Sequence, residues 1–292
     1  MDPFENDRRI LPDERRWGQG FGGKPYDDGE LAEIAVNVAE THQDGYGPRL
    51  VSTIPGFERT ETGDYRLPPG FDASNHPNRK KVPAAFLHPD LPTATEQPWQ
   101  LTEALQAHFR NRGYALDQHG RPVHPHADQL LESIGLNTGI GWGWRLGESV
   151  VADAVVTVGD SVFLWQPPGA DDRQAVPGGY AIPGDEGITD LHWNAGQRPI
   201  SAEGIQSTAR RKVETEAGVL LGQDCAERIV RGIRPISSPH TLNFWTVTFT
   251  VHFHLADTTV QPGPNTALIK TGDLAELPIW PDHRRAIEAA IG

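Results

Sequence analysis

Ile205, Ala209, Val213 and Ala217 recur at every fourth position between Ser201 and Gly218, the spacing that gathers an apolar stripe onto one side of a helix. Residues 201–218 are therefore expected to form an amphipathic helix. Ser201 is placed to act as its N-cap, Glu203 adds an acid to the first turn, and Gly218 supplies the stop. The polar face carries Lys212, Thr215 and Glu216. Such faces are ordinarily solvated, so what this one does depends on its surroundings.

A second pattern is the alternation of Thr246, Thr248, Thr250, His252 and His254 with Val247, Phe249, Val251, Phe253 and Leu255. It marks a half-buried strand with both histidines on its polar face. Two imidazoles at alternate positions can share a metal, and the plainer expectation is an exposed strand face. Further strands are expected at 150–157, 161–166, 229–234 and 244–255, with helices at 29–41, 99–112 and 282–291. His119, His124 and His126 fit no zinc spacing, and the lone Cys225 reads as a packed thiol.

The formal charge of −13 argues against a nucleic-acid surface, which needs a basic footprint. No apolar run is long enough to span a membrane, and the charged start Met1-Asp2-Pro3-Phe4-Glu5 lacks a signal-peptide core. The expectation is a cytoplasmic protein with a small-molecule partner and no internal repeat. Its division is read as 1–148, an N-terminal region with a small cap-like domain, and 149–292; oligomeric state is left open.

Glu203, Arg211, Val213, Glu216, Gly218 and Val219 stand at the mutual spacings of the pattern G-x5-E-x7-R-E-U-x-E-E-x-G-U, where U is aliphatic. Lys212 and Thr215 replace two of its carboxylates. Other matches keep the same order along the chain. They are Gly120-Arg121-Pro122 with Pro125, the glycine-rich run from Gly139 to Gly147, Ala154-Val155-Val156-Thr157, Tyr180-Ala181-Ile182-Pro183-Gly184, Val230 to Ile233, Thr241 to Phe253, and Leu277-Pro278 through Trp280 to His283. On these residues the chain resembles the ADP-ribose pyrophosphatase branch of the Nudix superfamily, which includes the mitochondrial ADP-ribose hydrolase and the ADP-ribose-sensing domain of a melastatin-type channel. The resemblance implies an α/β (α+β) Nudix fold, a mixed sheet sandwiched between helices and preceded by a smaller N-terminal domain.

It also implies a chemistry. Nudix enzymes hydrolyse a nucleoside diphosphate held by Mg2+ or Mn2+, and positions 212, 215 and 216 would share the cations from one helix face. On that basis Glu203, Glu216 and Arg211 are the catalytic candidates, and Glu216 and Glu203 the metal ligands. Asp185 and Glu186 are candidate replacements, brought by an insertion at 185–202 that also holds Asp190, His192 and Trp193. The candidate ligand contacts are Thr157, Gly184, Arg210, Lys212, Asn243, Trp280 and His283, and Trp142, Trp144 or Trp245 could stack on an adenine. Ser237-Ser238-Pro239 stands where the branch has Asp-Pro-Arg, so the distal half of the ligand need not be ribose 5-phosphate.

Three functions follow. The first is metal-dependent hydrolysis of ADP-ribose or a related NAD-derived nucleotide, put ahead because the insertion could restore ligands. The second is non-hydrolytic recognition of such a nucleotide. Lys212, Arg210 and Arg211 would serve as fixed cations, and the channel sensing domain departs at the same two positions. The third is a biosynthetic enzyme acting on an NAD-derived intermediate.

Overall fold

Two twelve-residue runs rich in β-branched and aromatic residues form the longest pairing in the protein. The structure, a computed structural model, describes residues 25–32, 34–35, 58–59, 65–66, 103–111, 113–134, 147–168, 172–187, 201–222, 225–230, 239–256 and 262–292. The short pair β1 (Glu58–Arg59) and β2 (Tyr65–Arg66) is followed by helices α1 (Glu103–Asn111) and α2 (Ala127–Ile134). The main sheet comprises β3 (Gly147–Val158), β4 (Ser161–Trp165), β5 (Gly178–Tyr180), β6 (Ala226–Ile229), β7 (Pro239–Thr241), β8 (Phe244–Leu255) and β9 (Thr266–Lys270). Helix α3 (Ala202–Lys212) falls between β5 and β6, and α4 (Pro281–Ile291) closes the chain.

β3 runs parallel to β8 from Gly147 opposite Phe244 to Val158 opposite Leu255, and the other described pairings are antiparallel. The strand order is β6-β8-β3-β4-β9, with β5 against the first half of β3 and β7 against the start of β8. β3 is covered on both faces, which explains its nearly unbroken apolar sequence. Ala152, Ala154, Val156 and Val158 pack with Ile205, Ala209, Val213 and Ala217 on the α3 side. Val155 packs with Ile287 and Ala290 on the α4 side. The result is an α+β architecture, a mixed sheet between helices, as the resemblance implies.

Several expected elements shift. Of the strand expected at 229–234, Ile229 ends β6 and 231–234 lie outside the described residues; the exposed residues 226–228 of β6 carry no alternation that would mark them. β3 starts at Gly147, so the division read at 148/149 falls inside a strand. Phe109 of α1 and Tyr114 join the same core as the sheet. Of the helix expected at 29–41, the described residues 29–32 and 34–35 are helical, and the remainder lies outside the described residues. The helix at 201–218 starts with its cap as expected, Ser201 Oγ accepting from Gly204 N at 2.9 Å. It ends differently: Val213–Ala217 widen into a π turn before Gly218 stops the chain at φ 67°. No helix among the described residues is long and apolar enough to cross a membrane.

Candidate functional site

The end of α3 and its π turn lie against β5, and two glycines there let the side chains come close. Glu216 Oε2 accepts the Gly178 N–H at 2.9 Å, while Glu216 Oε1 lies 2.6 Å from Lys212 Nζ. The Lys212 stem crosses Gly179 so closely that a Cβ there would collide with it. Thr215 turns its hydroxyl back onto the Arg211 carbonyl at 2.9 Å. Of the three positions that hold acids in the pattern, one carries an ammonium and one a hydroxyl bound to backbone. The third is a carboxylate with both oxygens engaged.

The acids of the insertion are engaged elsewhere. Asp185 makes a bidentate pair with Arg211, at 2.7 Å to Nε and 2.9 Å to the terminal nitrogen, and also accepts from Thr208 Oγ1 and Ile182 N. Its side chain is 5% exposed, and Arg211 donates besides to the Tyr180 carbonyl, so this clamp locks the 183–186 turn onto α3. Glu186 Oε1 accepts the Ser201 N–H at 2.6 Å, and the side chain lies against Gly204 in the first turn of α3. Glu203 is exposed on that turn, roughly 20 Å of helix from Glu216 at about 1.5 Å per residue, and the structure does not bring the two together. Asp190, His192 and Trp193 lie outside the described residues.

The remaining candidates are dispersed. Arg210 faces away from β5, pairing with Glu227 at 2.6 Å and lying over the Phe253 ring. Asn243 is fully buried and donates to Pro122 O and Asp117 Oδ2, tying the start of β8 to the turn that Asp117 and Arg121 close by their own ion pair. Gly184 is exposed with open space around it. Thr157 places its hydroxyl 2.8 Å from His252 Nε2 and 3.1 Å from His254 Nδ1, on the polar face of β8. Burial first, then Arg228 and His254, push the His252 pKa down to about 4. Trp280 is covered by the Arg173 guanidinium, 4.2 Å from its ring centre, and His283 Nδ1 accepts the Val176 N–H at 3.1 Å. Trp245 is a core residue in edge contact with Tyr114 and His124, while Trp142, Trp144, Ser237 and Ser238 lie outside the described residues.

One residue absent from the sequence reading belongs with this group. Asp153 on β3 is 7% exposed, beneath Gly178 and on the side of the sheet that faces α4. Burial raises its pKa to about 7, against the lowering effect of His283, with Asp282, Glu216 and Lys212 acting more weakly. The signal was an acid between two alanines in the middle of an apolar strand.

These residues do not fit a resident magnesium or manganese ion. A hard cation at Glu216 would have to displace the Lys212 ammonium, and the neighbouring Thr215 oxygen is turned away. No three His, Cys, Asp or Glu side chains among the described residues gather into a metal-holding group.

No family model matches the chain, and no curated protein matches it. Solved structures do. The NUDIX domain of Shewanella oneidensis NrtR complexed with ADP ribose is 18% identical, covering 50% of this chain and 88% of that one, with a TM-score of 0.33. A NUDIX-family hydrolase from Clostridium perfringens is 13% identical over 48% of this chain and 95% of that one, with a TM-score of 0.32. A bifunctional NMN adenylyltransferase/ADP ribose pyrophosphatase from Francisella tularensis, complexed with AMP and Mn ion, is 16% identical over 49% and 41%, with a TM-score of 0.32.

Proposed function

We propose that this chain is a Nudix-superfamily protein that binds an ADP-ribose-like nucleoside diphosphate in the cytoplasm and does not cleave it. The observation that carries this reading is the 2.6 Å pair between Lys212 Nζ and Glu216 Oε1. A diphosphate needs its charge neutralised, and an ammonium does that as a fixed cation with three donors, of which Glu216 engages one. What an ammonium does not do is lower the pKa of a water, the step for which a hydrolase recruits its metal. The ordered motif matches from Gly120 to His283 support the nucleotide class. The engagement of Asp185 with Arg211 and of Glu186 with Ser201 weighs against hydrolysis, which would need a second carboxylate beside Glu216.

Calorimetry with ADP-ribose in EDTA, magnesium and manganese, with product masses followed in parallel, tests the reading. Binding of equal strength in all three buffers and intact ligand are expected. Lys212→Ala should weaken binding by about tenfold, equivalent to about 1.4 kcal/mol. Metal-dependent cleavage that is lost in Glu216→Gln would overturn the proposal in favour of the hydrolase.

A further inference from the structure

Glu216 stands where a helix gains least from an acid. It follows Lys212 by four residues, the weaker order for such a pair, and lies two residues before the Gly218 stop, at the negative end of the helix dipole. The carboxylate is held there all the same. Its Oε2 accepts the Gly178 N–H at 2.9 Å, and its Oε1 takes the Lys212 ammonium at 2.6 Å.

Strand β5 decides where that ammonium can go. A Cβ on Gly179 would lie 2.7 Å from Lys212 Nζ and closer still to its Cε, so the bare strand is what lets the lysine stem lie across it and reach Glu216. The Lys212 side chain is 22% exposed and that of Glu216 15%, so solvent ions screen the pair less than they would on an open surface. The two charges sum to zero. An anion drawn to Nζ therefore comes within the field of a carboxylate 2.6 Å from that nitrogen, and the repulsion grows with the charge of the anion.

We infer that Glu216 is an autoinhibitory counter-ion: in the free protein it holds the ammonium that a diphosphate needs, and it weakens binding the more, the higher the charge of the ligand. This rests on the nucleotide-binding reading above and adds to it how that site is held in check. Lys212 supplies the attraction, and Glu216 sets how much of it a ligand receives.

Calorimetry on the full chain in EDTA, with pyrophosphate, orthophosphate and ADP-ribose as probes, tests it. Glu216→Gln removes the charge while keeping the volume and an oxygen for the Gly178 N–H, and thermal melting checks that the fold is retained. The variant should bind pyrophosphate about tenfold more tightly than wild type, and orthophosphate more tightly by a smaller factor. Glu214→Gln removes the same charge from an exposed position two residues earlier, and should leave both affinities within about twofold of wild type. An unchanged or weaker pyrophosphate affinity in Glu216→Gln overturns the inference, as does a gain of the same size in Glu214→Gln or an equal gain for the two probes. A Glu216→Gln chain that no longer melts cooperatively makes the carboxylate a structural group and overturns it as well. ADP-ribose binding that Lys212→Ala weakens and Glu216→Gln does not strengthen defeats this inference alone. Failure of pyrophosphate and ADP-ribose alike to bind wild type or variant defeats it together with the nucleotide reading.

Discussion

The two sides of β5 treat their charged groups in opposite ways. On the α3 side three acids hold hydrogen-bond partners: Glu216 has Lys212 and Gly178, Asp185 has Arg211 and Thr208, and Glu186 has Ser201. On the α4 side Asp153 is as buried as any of them and receives no donor from the described residues. The first arrangement stabilises the fold and leaves little chemistry to spare. The second costs stability, and such a cost persists where function needs the group. The helix that drew attention in the sequence is therefore mainly a scaffold, and the group without a donor among the described residues lies one strand away.

The contrast is broken most severely by removing a partner on the closed side. Arg211→Ala leaves Asp185 buried at 5% side-chain exposure without its bidentate counter-ion, a change that costs about 3–5 kcal/mol for buried pairs. Chemical denaturation should show a loss of that size, and a loss under about 1 kcal/mol would mean the clamp is a surface pair of little weight. On the open side the effect has the opposite sign. The Asp153 pKa is raised from 3.8 to about 7, so between those values the folded state keeps a proton that the unfolded chain has released. Its contribution is complete below the unfolded value and lost as pH rises through 7, on the order of 4 kcal/mol in all. Asp153→Asn should therefore be more stable than wild type at pH 8 and should lose this carboxyl's share of the pH dependence between pH 4 and 7. A variant less stable than wild type at pH 8 would show that the carboxylate has a stabilising partner.

Regular features were legible where local chemistry decides them. Ser201, Gly218 and the four-residue repeat gave the limits of the α3 segment, and strict alternation gave β8 its bounds at 244 and 255. The widening of Val213–Ala217 into a π turn was not legible, since the apolar spacing reads as a continuous helix. Nor were the engagements of Asp185 and Glu186, whose partners Arg211 and Ser201 are 26 and 15 residues away. Asp153 shows the limit most plainly. Its neighbours in sequence are alanines, while the groups that set its environment, Gly178, His283 and Glu216, come from three other segments. Composition marks such an acid as unusual without saying what it faces.

His252 sharpens the comparison because it is a half-buried titratable group on the same polar face of the sheet that does have a partner, the Thr157 hydroxyl at 2.8 Å. Burial, Arg228 and His254 bring its pKa from 6.5 down to about 4. Its sign is the reverse of that of Asp153. Between pH 6.5 and 4 the unfolded chain takes up a proton that the folded state refuses, so stability from this group is complete above 6.5 and lost as pH falls. The two contributions oppose each other across that window, and the net melting curve of wild type hides both. The imidazole Cε1 proton separates them: its NMR shift should titrate with a midpoint near pH 4 in wild type. A midpoint near 6.5 would show that the Thr157 contact and burial leave this ring as accessible as a surface histidine. In Asp153→Asn the His252 midpoint should stay where it is, because none of the charges acting on His252 is Asp153. A partnered group and an unpartnered one on the same face would then be seen to titrate independently, the smallest of these effects and the one most specific to the difference between them.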